Sequence, residues 1–199
     1  MKKHILINTD GQVVYYPHFF SEQESQHYFE NLNNILAWKK EQITFFGKTY
    51  WQPRLIAWYG EKDLAYNYSG NKMQALNWTN TLLEIKAKVE LLCNVSFNSV
   101  LANLYRDGQD SMGWHSDDEK ELGKNPIIAS LSLGGTRRFH FRHKHDKALK
   151  NQSIDLKTGS LVLMKGALQH HWQHQVSKTK RTVPPRINLT FRTIKDHLY

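Results

Sequence analysis

Two histidines and a carboxylate stand where they could hold a metal. His115-Ser116-Asp117 sets an imidazole and a carboxylate two residues apart, and on a strand residues i and i+2 share a face. His174, far along the chain, lies near the end of another expected strand. Two His and one carboxylate make the facial triad of non-haem iron(II) oxygenase sites, which leaves coordination positions open for a co-substrate and oxygen. His-x-Asp alone is a weak motif, and a surface His-Asp pair near a turn explains it more cheaply. His170 and His171 also precede His174. Alternation groups His170, Trp172 and His174 on one face and His171 on the other, so it rejects His171 more clearly than His170.

A second constellation changes the weight of the first. In Arg186-Ile187-Asn188-Leu189-Thr190-Phe191-Arg192, strand periodicity points Arg186, Asn188, Thr190 and Arg192 one way and the three apolar residues the other. Two arginines on an inward-facing side are costly unless anions pair with them. A dicarboxylate satisfies both, because the guanidinium fork matches a carboxylate bidentately. An edge strand with one wet face is the plainer alternative.

These groups need elements to position them. Ser21 with Glu24 forms a capping-box pattern, and a helix is expected from there to about Ala37. A second helix is expected from Lys72 to Leu92, with Leu82, Ile85, Val89 and Leu92 on one face. Residues 42–60 read as a hairpin pair alternating around Gly47. From residue 98 the pattern turns to short strands separated by glycine-bearing turns: 98–105, 112–117, 127–133, 137–143, 152–155, 160–165, 170–176 and 186–194. About eight such strands point to a β-sandwich or jelly roll, with helices supplied by the first half.

The chain has 199 residues, enough for one domain with its own core. No repeat, low-complexity tract or linker divides it, so residues 1–97 are expected to supply helices and residues 98–194 the jelly-roll core of a single domain. The lone Cys93 forms no internal disulfide and no Cys-rich zinc site, which favours a reducing compartment and a buried small hydrophobe. The basic start of the chain lacks the apolar run of a signal peptide, and no stretch approaches a membrane span. A cytoplasmic, monomeric protein without a membrane partner is the expectation. Lys and Arg number 27 against 18 Asp and Glu, a net charge of +9 that favours polyanionic partners. Arg137, Arg138, Arg142, His143, Lys144 and Lys147 form the expected phosphate-contact segment.

In order along the chain, Asn103-Leu104-Tyr105-Arg106-Asp107-Gly108, Gly113-Trp114-His115-Ser116-Asp117-Asp118-Glu119 and Ser130-Leu131-Ser132-Leu133-Gly134 resemble the AlkB-type dioxygenases. Arg138-Phe139, Phe141-Arg142-His143-Lys144, Gly159-Ser160-Leu161, His171-Trp172-Gln173-His174 and the Arg186–Arg192 segment continue the resemblance. It spans about residues 99 to 194 and is closest to the branch that repairs DNA. The first third agrees more loosely, around Phe45-Phe46-Gly47-Lys48 and Pro53-Arg54. Ser116 departs from relatives that carry a larger or charged residue there, which leaves metal binding unaffected.

The resemblance implies a mainly β double-stranded β-helix with flanking N-terminal helices and a nucleotide-recognition lid. It implies Fe(II) held by His115, Asp117 and His174. It implies 2-oxoglutarate bound by Arg186 at its far carboxylate, with Arg192, Asn103 and Tyr105 also contacting it. Asp118 and Glu119 fall at positions that contact the substrate base, and Phe46 at an aromatic that sandwiches the flipped base. Trp51 and Trp58 flank the expected lid, and a core role is expected for both. The implied reaction consumes oxygen and 2-oxoglutarate, gives succinate and carbon dioxide, and hydroxylates an N-methyl group that then leaves as formaldehyde. Targets such as 1-methyladenine and 3-methylcytosine in DNA follow, the base being flipped or already unpaired. The same chemistry on RNA, tRNA or protein is one alternative. A non-catalytic nucleic-acid-binding module is another, though it has no use for a dicarboxylate cradle.

Overall fold

The computed structural model describes residues 2–45, 48–62, 64–68 and 71–195. The first half contains β1 (His4–Ile7), β2 (Gln12–Tyr16), α1 (Glu22–Ile35), β3 (Gln42–Phe45), β4 (Lys48–Trp51) and β5 (Leu55–Gly60). It continues with β6 (Ala65–Tyr68), β7 (Asn71–Gln74), β8 (Leu76–Asn77) and α2 (Asn80–Cys93). The second half holds β9 (Ser99–Tyr105), β10 (Met112–His115), β11 (Ile128–Gly134), β12 (Arg137–His143) and β13 (Gln152–Leu156). After these come β14 (Ser160–Lys165), α3 (Leu168–His171), β15 (Trp172–Val176) and β16 (Arg186–Arg192).

The strands build a jelly roll. An eight-stranded sheet runs β1-β2-β14-β11-β16-β9-β5-β8, and a four-stranded sheet runs β10-β15-β12-β13. Strand alternation decides what each face of the large sheet does. Ile187, Leu189 and Phe191 of β16, with Val100, Ala102 and Leu104 of β9 and Ala129, Leu131 and Leu133 of β11, pack with Tyr28 and Leu32 of α1 and Leu82, Ile85 and Val89 of α2. The opposite face of the same strands carries Arg186, Asn188, Thr190, Arg192, Asn103, Tyr105 and Ser130, which line a cavity. Apolar residues from both sheets, among them Val162, Met164, Phe139, Phe141 and Val176, form the core beside that cavity.

The two long helices, α1 and α2, start at residues whose side chains accept from free N–H groups. Ser21 accepts from the Glu24 backbone while Glu24 reaches back to Ser21, the expected capping box. Thr79 caps α2, whose first residue Asn80 lies eight residues after the expected start at Lys72, and Asn71–Gln74 is instead a strand of the β6–β7 hairpin. Only from Leu82 do apolar residues recur at helical spacing, so the packing face begins there.

The expected hairpin over 42–60 is also divided differently. β3 pairs with β4, whereas β5 leaves for the large sheet and pairs with β9. β5 is buried nearly throughout, with Ile56 and Trp58 on one face and Ala57 and Tyr59 on the other, which a solvated hairpin arm cannot provide. β1 and β2 were not among the expected strands, and they extend the large sheet next to β14. Strands expected at 112–117 and 170–176 are shorter: β10 ends at His115, and a helical turn occupies Leu168–His171 before β15. Cys93 sits at the end of α2 with burial raising its thiol to about 11, so it stays protonated at neutral pH. Among the described residues no helix is long and apolar enough to cross a membrane.

Candidate active site

His115 and His174 are cross-strand partners on β10 and β15, and their ring centroids lie 4.2 Å apart. Phe141 of β12 pairs with His174 from the other side, which fixes the imidazole among aromatic rings. Asp117 lies two residues past the end of β10, so strand alternation is not what delivers its carboxylate. Two other bonds do. Its N–H donates to Gln169 Oε1 at 3.0 Å, and its Oδ1 accepts from Arg192 Nη2 at 2.7 Å. Asp117 Oδ1 then stands 4.0 Å from His115 Nε2, and Oδ2 stands 3.8 Å from His174 Nε2. One ligand atom from each of the three residues falls within 4.8 Å of the others.

Protonation suits these atoms to a cation. His115 Nδ1 faces the Gly113 carbonyl at 2.9 Å, so that nitrogen carries the proton and Nε2 keeps its lone pair. Burial lowers the His115 pKa, with Asp117 opposing, and burial with the nearby His115 takes His174 down to about 3. Burial alone would raise the Asp117 carboxyl. Arg192, then His174 and His115, outweigh it and hold the carboxyl at about 2. At neutral pH the group is therefore two neutral imidazoles and one carboxylate, a donor set that fits Fe(II).

Asp10, His143 and His171 form the other such group among the described residues. It differs in one decisive respect. His143 Nδ1 accepts from the N–H groups of Asp146 at 2.8 Å and His145 at 3.3 Å. That puts the ring proton on Nε2, which faces Asp10 Oδ2 at 3.3 Å. In that tautomer no ring lone pair is left for a metal.

Next to the first group lies the cradle expected for a dicarboxylate. Arg186 is 1% exposed and donates from Nη2 to Ser132 Oγ at 2.8 Å. Its guanidinium carbon lies 5.2 Å from the Tyr105 ring centroid, and its Nε and Nη1 have no hydrogen-bond partner among the described residues. Burial pushes its pKa down to about 10, which still leaves it charged at neutral pH. A buried cation with two unfilled donors is costly by itself and fits an incoming carboxylate. Asn103 is spoken for on its oxygen, which accepts from Arg54 Nε at 2.7 Å. Asn188 donates to Ser130 Oγ and the Leu131 carbonyl. Phe139, Leu156, Met164 and Val176 supply the apolar wall.

The structure thus brings His115, Asp117, His174, Asn103, Tyr105, Arg186 and Arg192 around one cavity. Arg54 also lines it, and Gln169 and Ser132 act behind it. Arg54 had a sequence signal in Pro53-Arg54; Gln169 had none, because a glutamine in a helical turn reads as surface. Asp118 is half-exposed and pairs with Lys144 Nζ at 3.2 Å, and Glu119 is partly buried beside it. Phe46 lies outside the described residues. Of the two tryptophans expected in the core, Trp58 is buried, but Trp51 is 55% exposed on β4, a two-stranded ribbon that packs it on no sheet.

The expected phosphate-contact segment is largely occupied with structure. Arg137 is buried and donates to the carbonyls of Asp107, Asp110 and Ser177. His143 is buried, Arg138 pairs with Asp155, and Arg142 lies over Trp114 while bonding Gln173. Lys147 remains exposed. Strand pairing turned these side chains inward or against neighbours, which a run of basic letters does not reveal.

Comparison with known proteins agrees with this geometry. Residues 12–192 match the family model of the 2OG-Fe(II) oxygenase superfamily. The chain is 44% identical over 192 residues to alpha-ketoglutarate-dependent dioxygenase alkB homolog 3 of Bos taurus, covering 92% of this chain and 66% of that protein. It is 35% identical over 198 residues to DNA oxidative demethylase ALKBH2 of Homo sapiens, covering 94% of this chain and 76% of that protein. It therefore spans just under two thirds of the length of the alkB homolog 3 proteins it matches. Among solved structures, OsALKBH1 shares the fold with a TM-score of 0.65 at 17% identity, over 96% of this chain and all of that one.

Proposed function

The chain belongs to the 2OG-Fe(II) oxygenase superfamily, and we propose that it oxidatively removes alkyl groups from damaged nucleic-acid bases, DNA first among them. The observation that carries this reading is a buried His115–Asp117–His174 group beside an arginine whose guanidinium has two unfilled donors. The names of the relatives, a DNA oxidative demethylase and an alkB homolog dioxygenase, support the substrate class.

Each residue then has a task. His115 Nε2, a His174 ring nitrogen and the Asp117 carboxylate would hold Fe(II), and Arg192 keeps that carboxylate ionised and oriented. Arg186 would hold the far carboxylate of 2-oxoglutarate through its open donors. Bound Fe(II) with 2-oxoglutarate and oxygen supplies the oxidising power, with succinate and carbon dioxide as by-products. The apolar wall of Phe139, Leu156, Met164 and Val176 keeps water from the reacting atoms. Asp118 and Glu119, which follow Asp117 in the chain, would favour a cationic base such as 1-methyladenine or 3-methylcytosine over its neutral parent. Hydroxylation of the N-methyl carbon gives a hemiaminal, whose collapse releases formaldehyde and restores the base.

The test supplies Fe(II), 2-oxoglutarate and oxygen with a 1-methyladenine oligomer and follows loss of the methyl group by mass spectrometry. Demethylation by the wild type and none by His174→Ala is the expected result. Succinate without demethylation would keep the oxygenase and overturn the substrate, and a matched RNA oligomer would then be the next trial.

A further inference from the structure

We propose that Gln169 is a positioning residue for the metal-binding carboxylate, holding Asp117 through that residue's own backbone N–H. The inference rests on reading Asp117 as an iron ligand.

β10 ends at His115, so Asp117 receives no ladder bonds. Its N–H would be an unpaired buried donor, costly in a site where Asp117 is 3% exposed. Gln169 meets that donor with Oε1 at 3.0 Å and is itself 1% exposed. The amide has one workable orientation: only its oxygen can accept from an N–H, and its nitrogen then rests 3.7 Å from Met164 Sδ. An apolar side chain would fill the same space without burying an amide, so the volume alone does not account for a glutamine here.

The tie also has a geometric consequence. Gln169 sits on α3, which leads directly into β15 and its His174. The carboxylate residue is thereby referenced to the element that carries the distant histidine. Two further bonds run the same way: Ser116 Oγ donates to the Trp172 carbonyl at 2.9 Å, and Lys144 Nζ bridges the Gln169 carbonyl at 2.8 Å and Asp118 Oδ2 at 3.2 Å. Asp117 is thus held at its main chain from α3 and at its carboxylate from Arg192 on β16. Removing the first restraint frees the residue to rotate about its backbone while the second pulls on one oxygen.

Gln169→Leu deletes the acceptor at nearly constant volume, and Gln169→Glu keeps it. Mn(II) titration and the visible spectrum of the Co(II) form read the metal site without turnover, and the melting point of metal-free protein reports folding. Gln169→Leu is expected to weaken Mn(II) binding roughly 10- to 100-fold, as loss of a partner behind a metal ligand does, and to alter the Co(II) spectrum. Gln169→Glu should bind like wild type. Unchanged affinity and spectrum in a folded Gln169→Leu would overturn the proposal. A second measurement needs no variant: the Asp117 amide of the wild type should be protected from hydrogen exchange, and exchange at the rate of an open amide would also overturn it. Wild-type protein that binds neither Mn(II) nor Co(II) would remove the ligand assignment itself, a failure distinct from that of Gln169.

Discussion

Arg192 Nη2 lies 2.7 Å from Asp117 Oδ1 with both side chains under a tenth exposed, so β16 reaches across the cavity to hold a carboxylate that stands beyond any strand. A buried pair of this kind is expensive to break, because the surviving charge keeps its desolvation cost without its partner. Arg192→Met is expected to destabilise the metal-free protein by about 3–5 kcal/mol, measured by urea unfolding in the presence of a chelator. It should also release the Asp117 carboxyl upward from about 2, so that metal binding is lost at a higher pH than in wild type.

Acid sensitivity should begin well above the carboxylate range. His174 titrates near 3 in the folded chain against an ordinary value of 6.5. Below 6.5 the unfolded chain takes up this proton and the folded chain refuses it. The stabilisation is therefore complete above 6.5 and disappears as pH falls through 3. Asp117, held at about 2 against 3.8, acts in the same direction at lower pH. Between pH 7 and 4 His174 should account for a loss on the order of 3 kcal/mol in metal-free protein. Urea unfolding across that range is expected to show a slope that flattens in His174→Gln.

Arg186 should separate binding from stability. Losing charge-assisted bonds worth about 1.5–3 kcal/mol, Arg186→Met is expected to weaken 2-oxoglutarate binding roughly 10- to 100-fold by anaerobic calorimetry with Mn(II). The same change removes a buried charge that has two unfilled donors, so the metal-free protein should be no less stable. A large loss of stability with unaltered 2-oxoglutarate affinity would assign Arg186 to the core instead.

The β3–β4 ribbon offers Tyr50 and Trp51 to solvent, with Lys40 Nζ 5.0 Å from the Trp51 ring centroid. Aromatic faces beside lysine suit an unpaired strand, and stacking contributes about 1–3 kcal/mol per base. Trp51→Ala is expected to weaken binding of a single-stranded oligomer by about 5- to 100-fold, read by fluorescence anisotropy. Metal and 2-oxoglutarate affinity should not move.

What the sequence disclosed depended on whether chemistry was carried by regular elements. β16 was readable because its polar and apolar residues alternate without a break, and Arg186, Asn188, Thr190 and Arg192 face the cavity as periodicity requires. His115 and His174 were readable as residue types with the right roles, but their pairing across β10 and β15 is long-range. Asp117 was correctly grouped for the wrong reason: the strand stops before it, and a glutamine and an arginine from distant segments do the positioning. The basic run from Arg137 misled because charge in one dimension does not show which guanidiniums will bond carbonyls. The α2 start was misplaced because a short strand pair before Thr79 carries no strong period.

The most direct test of the site is anaerobic addition of Fe(II) and 2-oxoglutarate to the metal-free protein, followed by visible absorption. A visible charge-transfer band should appear only when both are present, saturate at one iron per chain, and be absent in His174→Ala. In Arg186→Met it should need far more 2-oxoglutarate. A band of equal strength in His174→Ala, or none in wild type that is folded and free of other metals, would contradict the assignment of His115, Asp117, His174 and Arg186 to one iron and 2-oxoglutarate site.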